Sequence, residues 1–359
     1  MAPSATPSTQ RTLAANGVAR CWQSLDNAKI TNTMKEEARK HGIPASLRAE
    51  AYYVLSGGSA LQTGHPPRAY SALAASTADI SDTDVYAVEA DITSARVFFT
   101  TSAKGAEALS RIIFAFVNRN PRGYFRALPQ IAGLLLTVFG REREEQAFWT
   151  LVALLEKRFL PHCGGQVQWA ARVEVATLQQ LLEQRQPALA ALLAKLGPDA
   201  LEQLCCSWFS AAFTKTLPSE VVLRVWDCCV VEGPKVALRV AMALIKLSAS
   251  SIQSCTNIDV LSRVMEARFA RYNDAEALLA VAFKGVGSLS GACVEAARLR
   301  VLAEMPDCRR STSGPPAPAG PSSGGGASSG STGSITGRFT RNSPLWPSLK
   351  STGALLSLA

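Results

Sequence analysis

A corner sets the first limit on this chain. Leu109, Ile112, Ile113, Phe116 and Val117 recur at helical spacing and end at Asn118-Arg119-Asn120-Pro121. A second apolar stripe then runs through Leu128, Ile131, Leu134, Leu135 and Val138. Pro121 has no N–H and disfavours helical geometry in Asn120, so the first helix should stop near Asn118. The second should open on Tyr124, Phe125 and Arg126. Two amphipathic helices meeting at a tight turn must bury their stripes against each other or against further helices.

The rest of the chain repeats this pattern. A helix is expected over roughly 21–40, then a break at His41-Gly42-Ile43-Pro44 and a short helix through Leu55. The small, polar residues 57–80 read as a long loop. Val85, Val88 and Ile92 mark a helix capped by Asp82 or Asp84, and 93–104 reads as a loop. Beyond the corner, apolar stripes follow at Phe148–Leu155, stopped by Pro161, and at Val175–Leu182, Leu189–Leu193, Leu201–Trp208, Val221–Val230 and Val236–Leu244. Weaker helices continue to about Met305. Strand-period alternation is not found, so the fold class is all-α, a multi-helix orthogonal bundle. The expected organisation is a disordered segment over 1–20, a helical domain over 21–305, and a Gly/Ser/Pro-rich tail over 306–359, too poor in apolar residues to offset its ordering entropy.

Charge excludes one class of partner. The formal +9 is carried largely by the ends: +5 from Arg309 onward and +2 within residues 1–25, which leaves +2 for the body. A body this close to neutral lacks the electrostatic footprint of a nucleic-acid binder. The first 25 residues have the composition of an organelle transit peptide, but disordered N-termini share it, and targeting is not the expectation adopted. The nine cysteines include the adjacent pairs Cys205-Cys206 and Cys228-Cys229 and lie within apolar patterns. Neighbours on a helix point about 100° apart, so neither pair can chelate one metal, and buried reduced thiols are expected. The three histidines show no zinc spacing. There is no phosphate-binding or dinucleotide glycine motif, which argues against an enzyme with chemistry of its own. No apolar run is long enough to span a bilayer. A cytoplasmic location is expected, with endomembranes reached only through a partner.

Gly42-Ile43-Pro44 with Leu47-Arg48, Asn120-Pro121 with Gly123-Tyr124, Ala147-Phe148-Trp149, Leu217-Pro218, and Arg224-Val225-Trp226-Asp227 with Glu232-Gly233 follow one another in order. Over about 42–250 this succession resembles the TBC domain, the helical module of Rab GTPase-activating proteins. The resemblance implies a surface that docks a small GTPase of the Rab family. It gives Arg48, Gly123, Trp149, Trp226 and Asp227 as structural landmarks, and it requires no cofactor of the chain's own, since GTP and magnesium would belong to the partner. It also implies two catalytic side chains: an arginine from an I-x-x-D-x-x-R segment and a glutamine from Y-x-Q. The arginine neutralises charge on the transferring phosphoryl group and the glutamine orients the attacking water.

Both positions are altered here. Val88-Glu89-Ala90-Asp91 fits the first motif, but the arginine position falls on Ser94. Tyr124 is kept in the second, and the glutamine position is Arg126. A serine hydroxyl carries no charge, and a guanidinium offers a water no acceptor. Arg96, Arg126 itself and Gln130, one turn further on, are the candidates for relocated catalytic groups. Asp91, Tyr124 and Phe125 are the candidates for supporting the motif or contacting the GTPase. The expectation is a Rab-GAP-type protein with absent or weak activity. One alternative is an active GAP using Arg96 or Arg126; a second is a helical scaffold with no GTPase partner.

Overall fold

The computed structural model describes residues 21–22, 25, 30–76, 86, 88–93, 103–120, 124–162 and 166–305. The chain divides into two units, Met1–Thr312 and Ser313–Ala359, and every described residue belongs to the first. The expectations for residues 1–20 and 306–359, and for Ser94, Arg96 and Gly123, lie outside the described residues.

Among the described residues, helix is the only regular structure. In order the helices are α1 (Asn32–Lys40), α2 (Ala45–Ser56), α3 (Gly58–Thr63), α4 (Ala69–Ala75), α5 (Ala103–Arg119), α6 (Leu128–Phe139) and α7 (Glu144–Ala153). There follow α8 (Val167–Arg185), α9 (Pro187–Ala194), α10 (Ala200–Ser210), α11 (Ser219–Glu232), α12 (Lys235–Leu247), α13 (Ala249–Ser254), α14 (Ile258–Phe269), α15 (Ala275–Ala280) and α16 (Gly291–Glu304). A further helical stretch covers 88–93, and π-helical turns extend α7 and α15. Helices α5, α6 and α7 pack on one another; α8 lies against α10 and α16; α11 reaches back to α1 and α2. All bury their stripes in one continuous core, in which Trp149, Trp208 and Trp226 serve as packing.

Three sequence expectations are corrected. Helix α1 begins at Asn32 rather than near 21, because Thr31 caps it: its hydroxyl accepts from the Met34 N–H at 3.2 Å. The stretch expected to be a loop over 57–80 instead holds α3 and α4. Its few large residues, Leu61, Tyr70 and Leu73, suffice to dock it. Gly58 lies so close to Thr150 that a Cβ would fall 3.1 Å from its backbone nitrogen, and the missing side chain lets α3 settle on α7. Finally, α6 opens at Leu128, so Tyr124, Phe125 and Arg126 form a turn ahead of it rather than its first residues. Pro129 suits that later start, since a first-turn proline forfeits no helical hydrogen bond.

The conspicuous sequence landmarks meet at one buried knot. Asp227, fully buried on α11, accepts from Arg48 Nε and Nη2 at 3.0 and 3.1 Å, from Tyr52 Oη at 2.8 Å and from the Ile43 N–H at 3.0 Å. Four donors on one carboxylate tie α2 and the α1–α2 turn to α11. Gly42 makes the turn possible. Its φ is +78°, and a Cβ there would sit 2.6 Å from Arg224 Nε and 2.7 Å from Asp227 Oδ2. Gly42→Ala adds backbone strain of roughly 1–3 kcal/mol to that clash. The expected result is a lower urea midpoint with an unchanged slope; an unchanged midpoint contradicts the assigned role.

Candidate functional site

The site is assembled from three pieces of chain. In the 88–93 stretch, Val88 and Ile92 point into the core one turn apart, which leaves Asp91 half-buried at the surface. In the turn before α6, Phe125 is buried and meets Phe116 edge-on, ring centres 6.3 Å apart. With Phe125 anchored inward, Tyr124 is left half-buried beside it and Arg126 exposed. Phe125 is therefore a core wedge and does not present itself to a partner.

Asp91 joins the first two pieces. Tyr124 Oη donates to Asp91 Oδ2 at 2.5 Å, and Arg126 Nε lies 3.8 Å from Asp91 Oδ1. The longer contact is an ion pair without a hydrogen bond. The Arg126 side chain is 84% exposed, so the pair contributes about 0–1 kcal/mol and leaves the guanidinium free to move. The Gln130 amide nitrogen donates to the carbonyls of Arg126 and Ala127, at 3.0 and 3.1 Å, so its side chain turns back on the segment just ahead of α6.

The third piece is Lys215, to which no sequence motif pointed. It lies in the turn between α10 and α11, exposed, and its charge is close enough to feel both Asp91 and Arg126. Partial burial pushes its ammonium below the ordinary lysine value; Asp91 pulls it up, and the positive charge of Arg126 pushes it down again. The turn is strained and rigid. Ala212 and Phe213 both adopt positive φ, 46° and 67°, an uncommon conformation for residues with side chains that costs on the order of 1–3 kcal/mol each. Core contacts hold them there: both are fully buried, Trp226 Nε1 donates to the Ala212 carbonyl at 2.9 Å, and the Phe213 N–H reaches the Trp208 carbonyl at 2.8 Å. The only sequence signal was that Lys215 stands two residues before the Leu217-Pro218 landmark.

The cluster lies on open surface. It shares no residue with the concavity of about 230 Å³ that Leu182, Leu193 and Leu201 help to line. Among the described residues, no group of three His, Cys, Asp or Glu side chains is placed to hold a metal ion. Such a face suits a protein partner rather than an enclosed small molecule.

Against known proteins, the profile of the Rab-GTPase-TBC domain matches residues 46–253. The chain belongs to the TBC-domain family. The human growth hormone-regulated TBC protein 1 is 31% identical over 288 residues, covering 76% of this chain and 83% of that protein. Mouse TBC1 domain family member 2A is 36% identical over 147 residues, 41% of this chain but 16% of the much longer relative. Among solved structures, the Chlamydomonas flagellar RabGAP TBC domain superposes with a TM-score of 0.63 at 29% identity, over 78% of this chain and 95% of that one. The Ypt/Rab-GAP domain of Gyp1p gives 0.58 at 16% identity, over 76% and 98% of the two chains, and shares the fold. This TBC domain is thus a regulator of the Rab GTPase-activating type. No helix among the described residues is long and apolar enough to cross a membrane.

Proposed function

We propose that this chain docks a Rab-type GTPase on the face carrying Asp91, Tyr124 and Arg126, and that its own GAP activity is absent or weak. One observation carries the reading. Where the family's glutamine belongs, the chain offers an arginine in solvent. Phosphoryl transfer depends on positioning and charge stabilisation, and a guanidinium cannot accept a proton from the attacking water. The partner, with its GTP and magnesium, supplies the reacting groups, and membrane contact comes through it.

The test is capture of a panel of Rab proteins by the full chain, each loaded with a non-hydrolysable GTP analogue or with GDP. Retention of at least one Rab, preferring the GTP form, is the expected result. Retention of none in either state supports the scaffold reading instead. A second reading keeps specific support: the Arg126 guanidinium is exposed and held by only one long ion pair, which leaves it available as a substitute arginine finger. That reading requires measurable acceleration of hydrolysis that disappears in Arg126→Ala while capture persists.

A further inference from the structure

Helix α14 carries two apolar lines that point in different directions. Leu261, Met265 and Phe269, spaced four apart, are buried in the core and fix the rotation of the helix. Val260 and Val264 each sit one residue earlier, about 100° around the axis, and are 44% and 42% exposed. They are two of the four large apolar side chains exposed among the described residues; the other two, Tyr86 and Leu299, lie elsewhere in the chain. Ala267, also exposed, continues the ridge. The charges beside this ridge have one sign. Arg263 flanks it on one side, Arg268 on the other, and Arg271 follows in the turn that closes the helix; all three are exposed. Among the described residues none of the three forms an ion pair. Arg263 Nε reaches the Asp259 carbonyl at 3.3 Å, and the Arg268 guanidinium lies 5.8 Å from the centre of the Phe269 ring. Measured from the midline of the two valines, Arg263 and Arg268 lie within about 80° and the helix's acids, Asp259 and Glu266, about 120–140° away. Asp274, beyond the turn, is committed to capping α15, where it accepts from the Ala277 N–H at 2.8 Å.

We propose that this face of α14 is a membrane-contact surface, its two valines resting at the headgroup boundary of an anionic bilayer and its three arginines meeting the lipid headgroups. Charge selects the partner: three unpaired arginines beside an apolar ridge complement a plane of negative headgroups. A specific protein interface is centred on aromatic anchors seated in pockets, whereas the apolar side chains here are short and stand on a ridge. Contact with a lipid plane adds apolar area to electrostatic attraction and needs no matching shape. Arginine suits that boundary, because its apolar stem can lie along the valines while the guanidinium reaches a phosphate. Such a contact is weak by itself, and stable anchoring takes two signals. It therefore supplements attachment through a membrane-bound partner, and it stands whether or not the GTPase reading holds.

The experiment is co-sedimentation of the full chain, at physiological salt, with vesicles of phosphatidylcholine alone and of phosphatidylcholine mixed with phosphatidylserine. The sequence from Arg309 onward brings +5 of its own, so variants of α14 decide the question. One replaces Arg263, Arg268 and Arg271 together by Gln; the other is Val260→Ser with Val264→Ser. All five positions are exposed, and unchanged circular dichroism and thermal midpoint check that the variants fold. Wild type is expected on the anionic vesicles and not on the neutral ones. Removing the three arginines is expected to weaken that binding about 100-fold, close to fivefold for each charge at an anionic surface. Removing the two valines is expected to weaken it about fivefold. Wild type that binds neither vesicle, or both equally, overturns the proposal and leaves the face to an acidic protein. Variants that both bind as wild type does overturn it too, because the charge beyond Arg309 then accounts for the attraction. A loss confined to the arginine variant, with the serine variant unchanged, would mean that the helix never seats on the bilayer, and is equally fatal.

Discussion

Installing the two missing groups together, Ser94→Arg with Arg126→Gln, converts the chain into an active GAP for the Rab it captures. The expected gain is about 10³-fold or more over the Rab's intrinsic hydrolysis, since an arginine finger alone supplies roughly 10³–10⁵. The reasoning is geometric. The turn that holds residue 126 is pinned by the buried Phe125 and by the Tyr124–Asp91 hydrogen bond, neither of which depends on the side chain at 126. A carboxamide placed there inherits a position already built. Each single variant is expected to stay well below the pair, because one group positions water and the other stabilises charge, and the two act in the same transition state. Single-turnover hydrolysis with saturating chain reads the result. A double variant that still binds but gives only the intrinsic rate would show that the scaffold no longer aims these positions at the nucleotide.

The second large effect is on stability. Arg48→Ala removes two of the four donors to Asp227 and leaves a fully buried carboxylate facing only Tyr52 and the Ile43 N–H. Stranding one member of a buried pair costs about 3–5 kcal/mol, far more than the pair contributes against an apolar replacement. The measurable outcome is a fall in the denaturant midpoint large enough to threaten folding at 37 °C. The double variant Arg48→Met with Asp227→Leu, which removes both charges, is expected to recover part of the loss. If Arg48→Ala costs no more than breaking an exposed pair such as Arg172–Glu202, whose side chains are 60% and 44% exposed, the central position given to this knot is wrong.

How much could be read beforehand divides along physical lines. The long stripes from Leu109 to Val117, from Val221 to Val230 and from Val236 to Leu244 have a strong period, and each became a helix with its apolar face in the core. The landmarks Gly42, Arg48 and Asp227 were recognisable because a knot this crowded tolerates few alternatives. Segment 57–80 was misread because short helices such as α3 and α4 owe their stability to tertiary docking rather than to propensity, and their small residues give little period. Long-range pairing was invisible. The buried Glu174 and Arg298, joined at 2.6 and 2.9 Å between α8 and α16, lie far apart in sequence with no shared motif. Lys215 failed to stand out for the same reason: Thr214-Lys215-Thr216 reads as a polar linker, and only the fold brings it into the field of Asp91 and Arg126. The cysteines were seen in part. Cys205, Cys228 and Cys229 are buried, and burial raises each thiol above its ordinary value, whereas Cys206 and Cys293 are only partly covered.

The altered chemistry of residue 126 is tested most directly by single-turnover GTP hydrolysis on the Rab that the wild-type chain captures, with the chain at saturation. The account requires a rate close to that of the Rab alone, with at most a small rise that Arg126→Ala removes. Acceleration of about 10³-fold or more by the unmodified chain, at the level of a complete pair of catalytic fingers, would contradict it.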